Sequence, residues 1–135
     1  MTVYHLAVDI GASSGRHILG YLEDGILKLK EIYRFENRLI EKNGHLCWDI
    51  EGLLKHVKEG IAECARLGYR PVSLGIDTWA VDFVLLNEKG ERISDAVAYR
   101  DERTNGIREE LEEKGILSFR EQYARTGIQY QKFNT

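Results

Sequence analysis

The chain has 135 residues, the size of one compact domain, and its 43% hydrophobic and 30% charged content excludes a long disordered tract and predicts one folded core. A net charge of −3 argues against nucleic acid as the main partner, because a phosphate backbone is usually met by a basic face. No apolar run is long enough to cross a membrane and no basic-then-apolar leader opens the chain, so no membrane partner and a cytoplasmic location are expected.

The first predicted element is a central strand. Tyr4, Leu6, Val8 and Ile10 alternate along one face and Val3 and Ala7 lie on the other, the pattern of a strand apolar on both sides. Residues 17–22 and 26–35 read as two more strands, joined by Asp24-Gly25, a two-residue hairpin signal in which both positions tolerate positive φ. Residues 45–48 add a short extended piece. Asp49 has the chemistry of a helix N-cap, and Ile50, Leu53, Leu54, Val57, Ile61, Cys64 and Ala65 follow at helical spacing up to a capping Gly68. The cysteines, Cys47 and Cys64, form no C-x-x-C pair and read as small buried side chains of a reduced protein.

After Pro71, the alternating Val72, Leu74 and Ile76 predict a buried strand ending at Asp77. Residues 83–86 form an apolar run closed by a turn at 87–90, with 96–99 as its expected partner. A second helix is expected from Thr104 to near Gly115, and Ser118 with Glu121 has capping-box spacing for a third. Three strands, a helix, more strands and then helices predict an α/β domain with a sheet of mixed direction, RNase H-like or actin-like. A doubly wound sheet is excluded because no helix separates the first three strands.

Three clusters carry possible chemistry. In Asp9-Ile10-Gly11-Ala12-Ser13-Ser14-Gly15-Arg16, two glycines let the backbone turn its N–H groups toward a phosphate, two serines add hydroxyl donors, and Arg16 offsets negative charge. Asp9, at a strand end, has the hard oxygen donors that suit Mg²⁺. The same residues also fit a plain polar turn. The segment lacks the Gly-Lys-Ser/Thr ending of a Walker A loop and the glycine spacing of a dinucleotide fingerprint. In the second cluster, residues 75–83, an aromatic face at Trp79 beside Asp77 and Asp82 suits a polyol pocket, and equally suits a core tryptophan with a turn-capping Asp. The third, Tyr99-Arg100-Asp101-Glu102-Arg103-Thr104, is either a surface ion-pair group or part of the wall of that pocket. His5, His17, His45 and His56 have no mutual metal-ligand spacing and take no role.

The stretch 7–16 resembles the opening phosphate-binding hairpin of the FGGY carbohydrate kinases, in the Gly-Ala-Ser-Ser-Gly-Arg form particular to their rhamnulokinase branch. Asn43-Gly44 with Trp48-Asp49, then Ile76-Asp77-Thr78-Trp79, then Ala98-Tyr99-Arg100-Asp101 with Arg103-Thr104-Asn105 agree in order, as do Thr126-Gly127-Ile128-Gln129 and Phe133-Asn134-Thr135. The resemblance spans the chain. It implies an N-terminal, actin-like portion (residues 1–135) of a two-lobed kinase that transfers the γ-phosphate of ATP to the C1 hydroxyl of L-rhamnulose, with Mg²⁺ as cofactor. By this resemblance Gly11, Ala12, Ser13, Ser14, Gly15 and Arg16 contact the ATP phosphates and Asp9 serves the metal. Trp79, Ala80, Asp82, Arg100 and Asp101 belong to the sugar site. Ala80 stands where the family is expected to carry glycine, which adds a methyl beside the ligand and bears on which ketose or polyol is preferred. The catalytic base and the adenine pocket are expected downstream of Thr135. Two other classes remain open: an RNase H-type nuclease using Asp9, Asp77 and Asp82 around two metals, and a non-catalytic nucleotide- or sugar-binding module.

Overall fold

In β1 (Tyr4–Ile10) the alternating Leu6, Val8 and Ile10 are buried, and they form the floor on which the first unit is built. This computed structural model describes residues 2–134; Thr135, the last residue of the closing motif, lies outside them. β1 is followed by β2 (Ser14–Glu23) and β3 (Ile26–Glu36), paired antiparallel in turn, and later by β6 (Ser73–Thr78), which pairs parallel to β1. The sheet order β3-β2-β1-β6 makes β1 central and the sheet mixed, as the alternation predicts. Asp24 and Gly25 join β2 to β3 with φ of 51° and 77°, the left-handed pair that a tight hairpin requires.

Helix α1 (Ile50–Arg66) is started by Asp49, whose Oδ1 accepts the Gly52 N–H at 3.0 Å, and is followed by Gly68 at φ 83°. It packs against β2 and β3. The core beneath it has two parts. Leu6, Leu19 and Cys64 cluster with Tyr4, Ile32 and Tyr69, while Val8, Ile10 and Phe35 cluster with Tyr33, Leu53, Val57 and Trp79. His17 is fully buried under the helix; its Nε2 lies 3.1 Å from the Val57 carbonyl, and burial pulls its pKa below the usual histidine value.

The single core expected from length divides into two compact units. One comprises Met1–Leu39 and Asp49–Ala80, the other Ile40–Trp48 and Val81–Thr135. The reason is local pairing in the second unit. There β5 (His45–Trp48) pairs with β4 (Leu39–Lys42) and also with residues 96–98, through Trp48 N–H to Ala96 C=O and Ala98 N–H to Leu46 C=O, each 2.8 Å. The 83–86 run therefore does not pair with 96–99; it folds back across its own turn, where Leu86 faces Arg92. Helix α2 (Ile107–Glu113) begins later than Thr104, because Asp101 caps a 3₁₀ turn over Glu102–Thr104 and Gly106 then turns left-handed. Ser118 caps α3 (Phe119–Thr126) as its spacing predicts, its hydroxyl accepting the Glu121 N–H.

β6 also departs from expectation, since every residue in it is exposed, Leu74 and Ile76 included. It pairs only with β1, and α1 covers the other half of the sheet. Its alternation is that of a strand with an apolar face, and nothing among the described residues buries that face.

Candidate functional site

The 9–16 segment forms the connection between β1 and β2, at the edge of the first unit's sheet where β1 ends. Cross-strand register puts Asp9 opposite Arg16, and the two meet: Arg16 Nε donates to Asp9 Oδ2 at 2.9 Å, and a second guanidinium nitrogen lies 2.8 Å from the same oxygen. Both side chains are close to half exposed, so this ion pair adds little stability; its effect is to fix the direction of both groups. On the other flank of β1, Asp77 of β6 is the register partner of Asp9. Directly paired residues of neighbouring strands point to the same face, which puts two carboxylates and a guanidinium side by side at one strand end.

Between them the loop is closed by Gly11 N–H donating to Ser14 C=O at 2.8 Å. Ser13 is exposed and Ala12 and Ser14 are half-buried, so this stretch of the loop is reachable from solvent, whereas the Gly11 N–H is taken up within the loop. Gly15 has a different role from the one its sequence context suggests. It is buried, its φ is not left-handed, and a Cβ built on it would lie 2.1 Å from the Phe35 ring. Glycine is needed there because Phe35 occupies the side-chain space, and Phe35 is stacked on His56 at 4.6 Å between ring centres. His56 in turn lies 2.9 Å from the Tyr33 hydroxyl, which donates to Glu59 at 2.6 Å; burial first, then Glu59, pushes the Tyr33 pKa up to about 12.

Sequence reasoning passed over Asn37. This residue is 7% exposed, its N–H donates to Ser13 C=O at 3.0 Å, and its Nδ2 donates to Gly11 C=O at 2.9 Å. No sequence signal marks it, since an asparagine after a strand reads as the start of a loop.

The residues read as sugar contacts fall in both units. In the first, Trp79 is half-buried with its ring against the Val8, Ile10 and Phe35 cluster, and Ala80 is exposed. In the second, Val81 adopts φ 72°, a left-handed conformation that is strained for a β-branched residue. Asp82 Oδ2 accepts the indole N–H of the buried Trp48 at 2.5 Å. Arg100 is exposed and lies over its neighbour Tyr99, with Nε donating to the phenol oxygen at 3.1 Å. Asp101 is 8% exposed and is occupied internally: it accepts N–H bonds from Leu46 at 2.8 Å and Arg103 at 2.9 Å, and His45 lies at 3.2 Å. These partners, Leu46 first, hold its carboxyl below the usual range.

The oxygen donors of Asp9 and Asp77 fit a Mg²⁺ ion, which commonly takes one or two carboxylates and completes its shell with water and phosphate. Asp82 instead serves Trp48 in the second unit, and no group of three or more His, Cys, Asp or Glu among the described residues is arranged to hold a metal ion. Cys47 and Cys64 are buried free thiols whose pKa values burial pushes up. No helix among the described residues is long and apolar enough to cross a membrane.

The sequence profile of the FGGY family of carbohydrate kinases, N-terminal domain, matches residues 4–135. The rhamnulokinase of Oceanobacillus iheyensis is 55% identical over 131 residues, which are 97% of this chain and 27% of that protein. The rhamnulokinase of Halalkalibacterium halodurans is 54% identical over 132 residues, 98% of this chain and 28% of that protein. The chain thus spans little more than a quarter of the curated relatives it matches. Among solved structures, a gluconate kinase from Lactobacillus acidophilus superimposes with a TM-score of 0.72 at 16% identity, over 95% of this chain and 25% of that one. Plasmodium falciparum glycerol kinase with ADP gives 0.70 at 13% identity, over 98% and 27%. Those likenesses show the fold, the actin-like mixed sheet with helices that the element order predicts.

Proposed function

Because this chain belongs to the FGGY family of carbohydrate kinases, as an N-terminal domain, we propose that it supplies the phosphate-gripping part of an enzyme that phosphorylates L-rhamnulose at its C1 hydroxyl with ATP. One observation carries the reading: Asp9, Arg16 and Asp77 stand side by side at a strand end, beside a loop of backbone and hydroxyl donors. That arrangement suits a polyphosphate with its metal. The choice of sugar is supported by the rhamnulokinases at 54–55% identity, against 13–16% for the gluconate and glycerol kinases.

In this reading the N–H groups of the 12–14 loop and the hydroxyls of Ser13 and Ser14 bind the ATP phosphates. Arg16 balances their charge and holds Asp9 in place. Asp9, with Asp77 beside it, would hold Mg²⁺, which when bound neutralises charge on the transferring phosphoryl group. Trp79 and Ala80 are the sugar-contacting residues assigned to the first unit, and Asp82 and Arg100 those assigned to the second. Asp101 supports that site indirectly, by tying β5 to the turn that carries Arg100. The base that takes the proton from the attacking hydroxyl belongs to the remainder of the enzyme, so catalysis here consists of positioning and electrostatic stabilisation.

The test is phosphoryl transfer from ATP and Mg²⁺ by the longest natural protein that carries this chain. Turnover with L-rhamnulose is expected, and its loss on Asp9→Asn. Turnover only with another ketose or polyol would overturn the substrate assignment and leave the kinase assignment standing.

A further inference from the structure

An orphaned atom behind the hairpin points to a residue that the proposed chemistry does not yet use. Asn37 Oδ1 is buried and has no hydrogen-bond partner among the described residues. A buried unsatisfied acceptor is costly, so an asparagine at such a place is expected to be doing something that an apolar residue could not. Its amide orientation is dictated by its neighbour. Nδ2 faces the Gly11 carbonyl at 2.9 Å, and turning the amide over would set two oxygens against each other while stranding a donor.

The consequence lies in peptide geometry. No cis peptide bond occurs among the described residues, so the C=O and the following N–H of each peptide unit there point in opposite directions. Asn37 draws the Gly11 carbonyl back with its side chain and the Ser13 carbonyl back with its main-chain N–H, at 2.9 and 3.0 Å. The N–H groups of the same two peptide units, those of Ala12 and Ser14, are therefore turned away from Asn37. Turn N–H groups left free of internal acceptors can line an anion-binding concavity.

We infer that Asn37 is a positioning residue for phosphate binding: by holding two loop carbonyls from behind, it presents the Ala12 and Ser14 N–H groups to the nucleotide phosphates. This rests on the reading of the hairpin as a phosphate grip. Asn37 itself touches no phosphate; it acts through the two peptide units. A residue with a purely structural role would affect nucleotide and sugar alike. A positioning residue of this kind affects the nucleotide alone.

The experiment is calorimetric titration of the longest natural protein carrying this chain, with MgATP and separately with L-rhamnulose, in wild type, Asn37→Leu and Asn37→Asp. Leucine has nearly the same size and no donor; aspartate has the same shape and a carboxylate facing the Gly11 oxygen. Both variants are expected to lose about ten-fold or more in MgATP affinity and to keep L-rhamnulose affinity within about two-fold. The Asn37→Leu loss should be independent of pH, whereas that of Asn37→Asp should shrink as acidification restores a donor. Equal losses for both ligands, unchanged MgATP affinity, or a loss confined to Asn37→Asp would overturn the inference, the last because it would then be a charge effect. Should either variant fold poorly, wild-type protein labelled with ¹⁵N at alanine and serine gives an independent answer. MgATP should shift and protect the Ala12 and Ser14 amides, and silence at both contradicts the inference. Wild type that binds no MgATP at all sinks the phosphate reading itself, and this inference with it.

Discussion

Gly15→Ala is the sharpest perturbation available, because sequence and structure give it different meanings. In the sequence, Gly15 is a glycine of a phosphate loop, there to let a ligand approach. In the structure it is a buried strand residue whose added Cβ would sit 2.1, 2.5 and 2.8 Å from three atoms of the Phe35 ring. Contacts under 3 Å force something to move, and Phe35 has little freedom. His56 is stacked on its face at 4.6 Å, and Val8 and Ile10 pack around it. Overpacking by one methyl in such a place costs about 1–3 kcal/mol, and the depth of this overlap puts the expectation toward the upper end. For a domain of this size that corresponds to a fall of about 5–15 °C in Tm. The assay is thermal unfolding followed by circular dichroism in wild type, Gly15→Ala, Phe35→Leu and the double variant. Phe35→Leu removes the ring, so the two changes should be coupled by about 1 kcal/mol or more, with the double variant more stable than the sum of the singles implies. MgATP affinity should recover along with stability. An unchanged Tm in Gly15→Ala, or strictly additive losses, would refute the packing argument. Lost MgATP affinity that Phe35→Leu does not restore would return Gly15 to the role its sequence context suggests.

Two further outcomes follow from buried polar groups. His17 has a folded-state pKa below the ordinary 6.5, caused first by burial, so the unfolded chain takes up its proton at higher pH than the folded one. The stability it contributes is complete above the unfolded value and is lost as pH falls from there toward the folded pKa; urea unfolding at about pH 7.5 and about pH 5.5 should show this loss, and His17→Leu should reduce it. Asp101→Ala leaves the Leu46 and Arg103 N–H groups without their acceptor in a buried place, so the second unit should lose about 1–3 kcal/mol in denaturant unfolding, and sugar affinity should weaken more than MgATP affinity.

The features legible in the sequence are those decided by chemistry within a few residues. Asp24-Gly25 specifies its turn because both positions carry positive φ, and Asp49 and Gly68 bound α1 because an N-cap and a left-handed terminus need those residue types. The sequence assigns Asp9 to a metal and Arg16 to phosphate, and their pairing with each other emerges only from the strand register. The rest of what was not legible depends on distant partners. The exposure of β6 is a matter of which strands α1 covers, and the pairing of 96–98 with β5 joins residues about fifty positions apart. Asp101 reads as a sugar ligand beside Arg100, yet its carboxylate is taken by the backbone of Leu46 and Arg103. Gly60 of α1 is a further case, since a Cβ there would lie 2.3 Å from the buried His17 ring. Asn37 is invisible for the same reason: its importance lies in the two carbonyls it meets 24 and 26 residues earlier in the chain.

The hairpin's grip on the phosphates of ATP is put to the test by Arg16→Ala. Arg16 sits on the exposed end of β2 and bonds only Asp9 among the contacts described above, so its removal should leave the fold intact. Calorimetric titration of the longest natural protein carrying this chain should then show MgATP affinity reduced by about ten-fold or more, with L-rhamnulose affinity essentially retained. MgATP affinity unchanged by Arg16→Ala, or an equal loss for nucleotide and sugar, would contradict that grip.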